Sequence, residues 1–108
     1  MNPKSVYERL VTVGSDWADK EHAANLLEAA IKSVKAKIAL QHKDAGCGVA
    51  EAEMRAEADY EYRKLREDAI DARMEAIKAK VVYDAAKLSF EAWRTEQANE
   101  RAASSYQT

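Results

Sequence analysis

Hydrophobic positions repeat with a helical period along most of this chain. Ala24, Leu27, Ile31, Val34 and Ile38 follow one another at alternating steps of three and four residues, which is a heptad seam. A longer seam reads Ala58, Tyr62, Leu65, Ala69, Ala72, Ala76, Ala79, Tyr83, Ala86, Phe90, Trp93 and Gln97, and it never slips. Two such seams predict two helices in left-handed supercoiled contact. The middle of the longer seam is nearly all alanine, which permits close approach of the backbones, while bulky side chains fill its ends.

The chain's three glycines and single proline mark the expected boundaries. Asn2 suits an N-cap and Pro3 the first helical position, so a short helix is expected over roughly residues 3–12. Gly14 can close that helix in the left-handed conformation, and Ser15 or Asp16 can cap a second helix over about 16–43. The stretch KDAGCGVAEAE then turns the chain back. A third helix without Gly or Pro is expected from about residue 50 to 98, continuous throughout, with a tail over 99–108. The whole reads as one domain: an all-α antiparallel helical hairpin, or coiled coil, with a short N-terminal helix.

Helix lengths add a constraint. About 28 residues span ~42 Å and about 49 span ~73 Å, so ~30 Å of the third helix stays uncovered by the second. The first helix, with Val6, Tyr7, Leu10 and Val11, is placed to cover part of the aromatic end. A second stripe on the third helix, Ile70, Met74, Ile77, Val81 and Leu88, sits one residue over from the seam and makes an apolar face wider than one helix can cover. That face predicts a homo-oligomer, at least a dimer.

Composition narrows the classes. The chain has 33% charged and 7% aromatic residues and a formal net charge of −2, which fits long helices and gives no global basic excess for nucleic acid or anionic membrane. Cys47 is the only cysteine, so no internal disulfide or thiolate zinc cluster forms, and a reducing compartment is expected. No apolar run approaches the ~20 residues of a membrane span. The N-terminus lacks a secretory apolar region, and a soluble cytoplasmic protein is the expectation.

Candidate chemistry is sparse. Lys32, Lys35, Lys37, His42 and Lys43 lie in an acid-free run of the second helix, where they can contact phosphates or form a solvated face paired with the acid-rich third helix. Trp93 followed by Arg94, with Arg101 two turns on, suits a protein contact or a stacked nucleobase, or it ends the core seam. The rows Glu53, Glu57, Glu61 and Glu67, Asp71, Glu75 are interleaved with bases, as in Glu51 with Arg55 and Asp59 with Arg63, and read as an exposed salt-bridged face. Asp19 and His22 echo an acid-x-x-His element only once, so no metal site is assigned. Cys47, between two glycines, reads as an exposed loop residue. No phosphate loop, nucleophile elbow or dinucleotide fingerprint occurs, so neither enzymatic activity nor a cofactor is expected.

The short N-terminal element, the hairpin, the Tyr/Ala-rich long helix and the closing LSFEAWRTEQANER together resemble small bacteriophage proteins that accompany recombination and replication genes. The likeness covers mainly residues 58–101, and its motif is an aromatic followed by Arg and a further Arg. It implies a non-enzymatic accessory factor for phage DNA metabolism in the host cytoplasm, acting with a recombinase or a single-strand binding protein, with single-stranded DNA as a further partner. Two other classes stand beside it: a phage-encoded inhibitor of a host defence or regulatory protein, and a structural coiled-coil adaptor.

Overall fold

The computed structural model describes residues 2–107. They form three helices, α1 (Pro3–Asp44), α2 (Val49–Ala58) and α3 (Tyr60–Gln107), and no strand occurs among them. The fold is an all-α antiparallel helical hairpin. Its contacts divide it into two compact units, one formed by the described residues up to 18 and from 77 onward and one of residues 19–76.

α1 starts as its sequence predicts. The Lys4 amide donates to Asn2 Oδ1 at 3.0 Å, and Pro3 occupies the first helical position. The expected break at Gly14 does not occur, and the two helices assigned to 3–12 and 16–43 are one. The reason is a seam that continues upstream: Val6, Leu10, Val13, Trp17, Lys20, Ala24, Leu27, Ile31, Val34 and Ile38 keep the steps of three and four, and each is buried or half-buried. Tyr7 and Val11, expected to help cover the aromatic end, are exposed.

Gly14 has a different use from the one expected. A Cβ built on it would lie 3.2 Å from Tyr83 Cε2, and the Tyr83 ring stacks on Trp17 with centroids 5.2 Å apart. The missing side chain is what lets the Tyr83 ring sit against α1 beside Trp17. Gly14→Ala gains helix propensity worth about 1 kcal/mol but presses on the ring. In a Tyr83→Ala background the substitution should give the full gain, and in the wild-type background clearly less. Urea unfolding of the four chains checks this, and equal gains in both backgrounds would show that the ring yields freely.

In the unit of residues 19–76, α1 ends in a left-handed glycine. Gly46 has φ 104°, its amide donates to the Lys43 carbonyl, and the Cys47 amide donates to the His42 carbonyl. This pair of bonds closes the last turn and satisfies carbonyls the helix leaves open. Cys47 is half-buried there, not the exposed loop residue expected.

The third helix is not continuous from residue 50. Asp59 leaves the helical conformation (φ −66°, ψ 139°), and its Oδ1 accepts from the amides of Glu61 at 2.8 Å and Tyr62 at 3.4 Å. Aspartate supplies its own cap, so a helix can end and restart here without Gly or Pro. The interruption shifts the phase: α2 buries Ala52 and Ala56, while Ala58, expected in the seam, is exposed. From Tyr62 to Gln97 every expected seam residue is buried or half-buried. At the far end the helix runs on through the expected tail to Gln107, because Ala102 and Ala103 favour helix and nothing stops it.

The core of the 19–76 unit is Ile38, Ala56 and Tyr62, one residue from each helix, with Ile31, Val34 and Ala39 packed on it. Elsewhere the buried positions of α1 and α3 are mainly alanine: Ala24, Ala69, Ala76, Ala79 and Ala86.

Candidate functional site

Writing Tyr62 as heptad position a places the α3 seam at a and d. The stripe Ile70, Met74, Ile77, Val81 and Leu88 then falls at b and f. One residue is a turn of 100°, and alternate members fall two residues short of a seam position, so the stripe points roughly 150° away from the seam, not beside it as the sequence reading has it. All five side chains are exposed.

Position e of the same heptads carries a row that the sequence reading missed. Arg66, Arg73, Lys80, Lys87, Arg94 and Arg101 recur at strict seven-residue intervals. The signal lies in the spacing of the bases, which the spacing of the apolar residues does not reveal.

Within the 19–76 unit this row meets acids on α1. Arg73 Nη1 donates to Glu21 at 2.7 Å, Nε donates to Glu28 at 3.1 Å, and Nη2 donates to Glu28 and to Asn25. Glu21, Asn25 and Glu28 are one helical turn apart on one face, so a single planar guanidinium spans two turns of α1. Arg66 lies over the Tyr62 ring, 5.8 Å from its centroid.

In the unit of 1–18 and 77–108 the row meets no acid. Lys80 lies over the Trp17 ring at 6.0 Å and Arg94 over the Phe90 ring at 5.9 Å. Lys87 and Arg101 are exposed and form no ion pair among the described residues. Phe90, Trp93, Arg94, Gln97, Ala98 and Arg101 line a groove of 320 Å³, and a second groove of 660 Å³ holds Val6, Arg9, Trp93, Glu96 and Glu100 among its lining residues.

The lysine run of α1 does not form one strip. Lys35 and Lys37 fall on opposite flanks of the α1 seam, and Lys32 and Lys43 on its outer face. Lys35 donates to Glu57 of α2 at 2.9 Å, so carboxylate from across the hairpin compensates the run that is acid-free in sequence. Of the acid–base pairs expected on the third helix, Glu51 with Arg55 forms at 2.8 Å, while Asp59 is used as the cap.

These pairs tie stability to pH. The hydrogen bonds from Arg73 hold the Glu28 carboxyl below its ordinary value of 4.5, and the bond from Lys35 does the same for Glu57. The Lys35 ammonium is correspondingly raised above 10.5, chiefly by Glu57. A lowered carboxyl contributes stability that is full above 4.5 and lost as pH falls through the folded value, whereas a raised lysine contributes below 10.5 and loses it as pH rises through its folded value. Arg73→Gln should therefore lower stability at neutral pH and make its decline in acid shallower. Urea midpoints measured from neutrality down through the carboxylate range check this; an unchanged acid slope would show that the Arg73 pair is not linked to folding.

Among the described residues no three His, Cys, Asp or Glu side chains are arranged to hold a metal ion, and no charged side chain is buried. Among the described residues no helix is long and apolar enough to cross a membrane. What the molecule offers is helix surface: an all-α hairpin with an apolar stripe on the outside of α3 and a basic row between that stripe and the seam. No family model, curated protein or solved structure matches the chain.

Proposed function

We propose that this chain is a non-enzymatic accessory protein that acts by binding a protein partner in bacteriophage DNA recombination or replication. The observation that carries the binding reading is the exposed outer face of α3, where Ile77, Val81 and Leu88 stand 50%, 63% and 66% exposed beside the basic row. Branched and long aliphatic side chains left in water on a helix whose seam is already filled are a surface for another helix. The setting in DNA metabolism rests on the resemblance carried by residues 58–101.

Affinity capture from infected and uninfected bacterial lysates, with and without nuclease, tests this against a Val81→Asp variant. A recombination or replication protein retained after nuclease and lost with Val81→Asp is the expected result. A host defence or regulatory protein in its place would move the reading to an inhibitor. Recovery of only further copies of the chain would move it to a structural adaptor, and partners that vanish with nuclease would move it to direct DNA binding.

A further inference from the structure

We infer that the outer face of α3 over residues 77–101 is the docking site for an acidic amphipathic α-helix of another protein. This rests on the protein-binding reading above and names the chemistry of the partner.

Periodicity is the first argument. Lys80, Lys87, Arg94 and Arg101 recur every seven residues, about 10.5 Å along the helix. A partner answers that repeat at every step only if it has the same repeat along the same axis, as a supercoiled helix does. Ile77, Val81 and Leu88 run beside the first half of the row, at outer positions b and f that further on hold Asp84, Glu91, Thr95 and Ala98, so a basic flank borders a centre that is apolar up to Leu88 apart from Asp84.

Charge decides among helical partners. The row flanks the stripe on one side, and the opposite flank, position c, holds Lys78, Ala85, Ala92 and Asn99. A second copy packed antiparallel through the same stripe would set basic row against basic row. Packed parallel, it would set the row against position c, which has no acid. At the flanks neither orientation sets an acid against the row, and like charges facing each other across a helical contact are destabilising. A helix with Glu or Asp at seven-residue intervals beside its own apolar seam supplies what this face lacks.

Nucleic acid fits less well. Phosphates would gain from the bases but leave Ile77, Val81 and Leu88 without a partner, and Asp84 and Glu91, at position b of the same face, would repel the backbone. A helical partner can meet those two acids with a Lys or Arg of its own.

The test uses the full chain and a labelled synthetic peptide four heptads long, with Leu and Ile at its seam, Lys at the two seam positions that meet Asp84 and Glu91, and Glu at both flanking positions. The controls are a scrambled peptide of the same composition and a labelled single-stranded oligonucleotide, all followed by fluorescence anisotropy. The periodic acidic peptide should bind, with the scrambled peptide and the oligonucleotide weaker by at least roughly tenfold. Lys87→Glu and Val81→Asp, both on exposed positions, should each weaken peptide binding by about the same factor while circular dichroism stays helical. Equal binding of the scrambled peptide, or tighter binding of the oligonucleotide, would replace the proposal with a general polyanion surface. No peptide binding at low salt would overturn it, as would a dimer in light scattering that Val81→Asp dissociates, since a second copy would then hold the face. Because no lysate is involved, failure here leaves the capture experiment free to support or reject the broader reading.

Discussion

Ile38→Ala should destabilise the hairpin by about 2–5 kcal/mol, a large share of the roughly 5–15 kcal/mol that stabilises an ordinary domain. Ile38 is 3% exposed and forms, with Ala56 and Tyr62, the cluster in which all three helices meet. Its neighbours leave little room for collapse. Ala56 has only a methyl group, too small to fill the gap, and the backbone of Tyr62 is held by the cap that Asp59 gives its amide. The cavity should therefore persist, which places the cost in the upper part of the range. Urea unfolding followed by circular dichroism measures it, with the m-value expected to stay unchanged. A loss below about 1 kcal/mol would mean that the site closes over the gap and that the cluster is not tightly packed.

That cluster also shows which parts of the fold were legible in the sequence. The heptad steps from Ala24 to Ile38 and from Tyr62 to Gln97 identify the buried faces residue by residue, because side-chain burial on a long helix follows the period and little else. The ends were harder to read. Gly14 looks like a stop, yet the seam passes through it, and its role is to make room for Tyr83. Asp59 does not look like a stop, because an acid in an acid-rich helix is unremarkable until its carboxylate turns back on the two amides that follow. A contact distant in sequence, with Tyr83, accounts for Gly14, whereas a contact within a single turn, the cap given to Glu61 and Tyr62, accounts for Asp59.

The candidate surface was half legible. The apolar stripe was visible as a pattern, but its direction depends on adding up helical rotation, which moves it from beside the seam to the back of the helix. The basic row was hidden by composition: a chain with 17 bases and 19 acids offers many accidental pairings, and only the buried seam shows which bases share one flank. For the lysine run the sequence left two readings open, phosphate contact or pairing with the acid-rich segment after the turn, and only the fold brings Glu57, 22 residues away along the chain, beside Lys35.

Ala24→Leu should be the second severe substitution in the 19–76 unit. Ala24 is 0% exposed, and Glu21 and Glu28, one turn to either side of it, both reach Arg73. Arg73 is itself bracketed by Ala69 and Ala76, each buried. Small residues on both helices set the approach, and the guanidinium is held across it at hydrogen-bonding distance. A leucine at 24 has no space to enter, so either its side chain is forced off rotamer or the helices part, at a cost of about 1–3 kcal/mol. The two responses are distinguishable. If the helices part, the Arg73 bonds lengthen beyond reach, and Arg73→Gln should then cost much less in the Ala24→Leu chain than in the wild type. The shallower acid decline expected of Arg73→Gln should also be present already in Ala24→Leu. Additive costs with an unchanged acid slope would show that the strain stays local and that the alanines do not set the distance over which the ion pairs form.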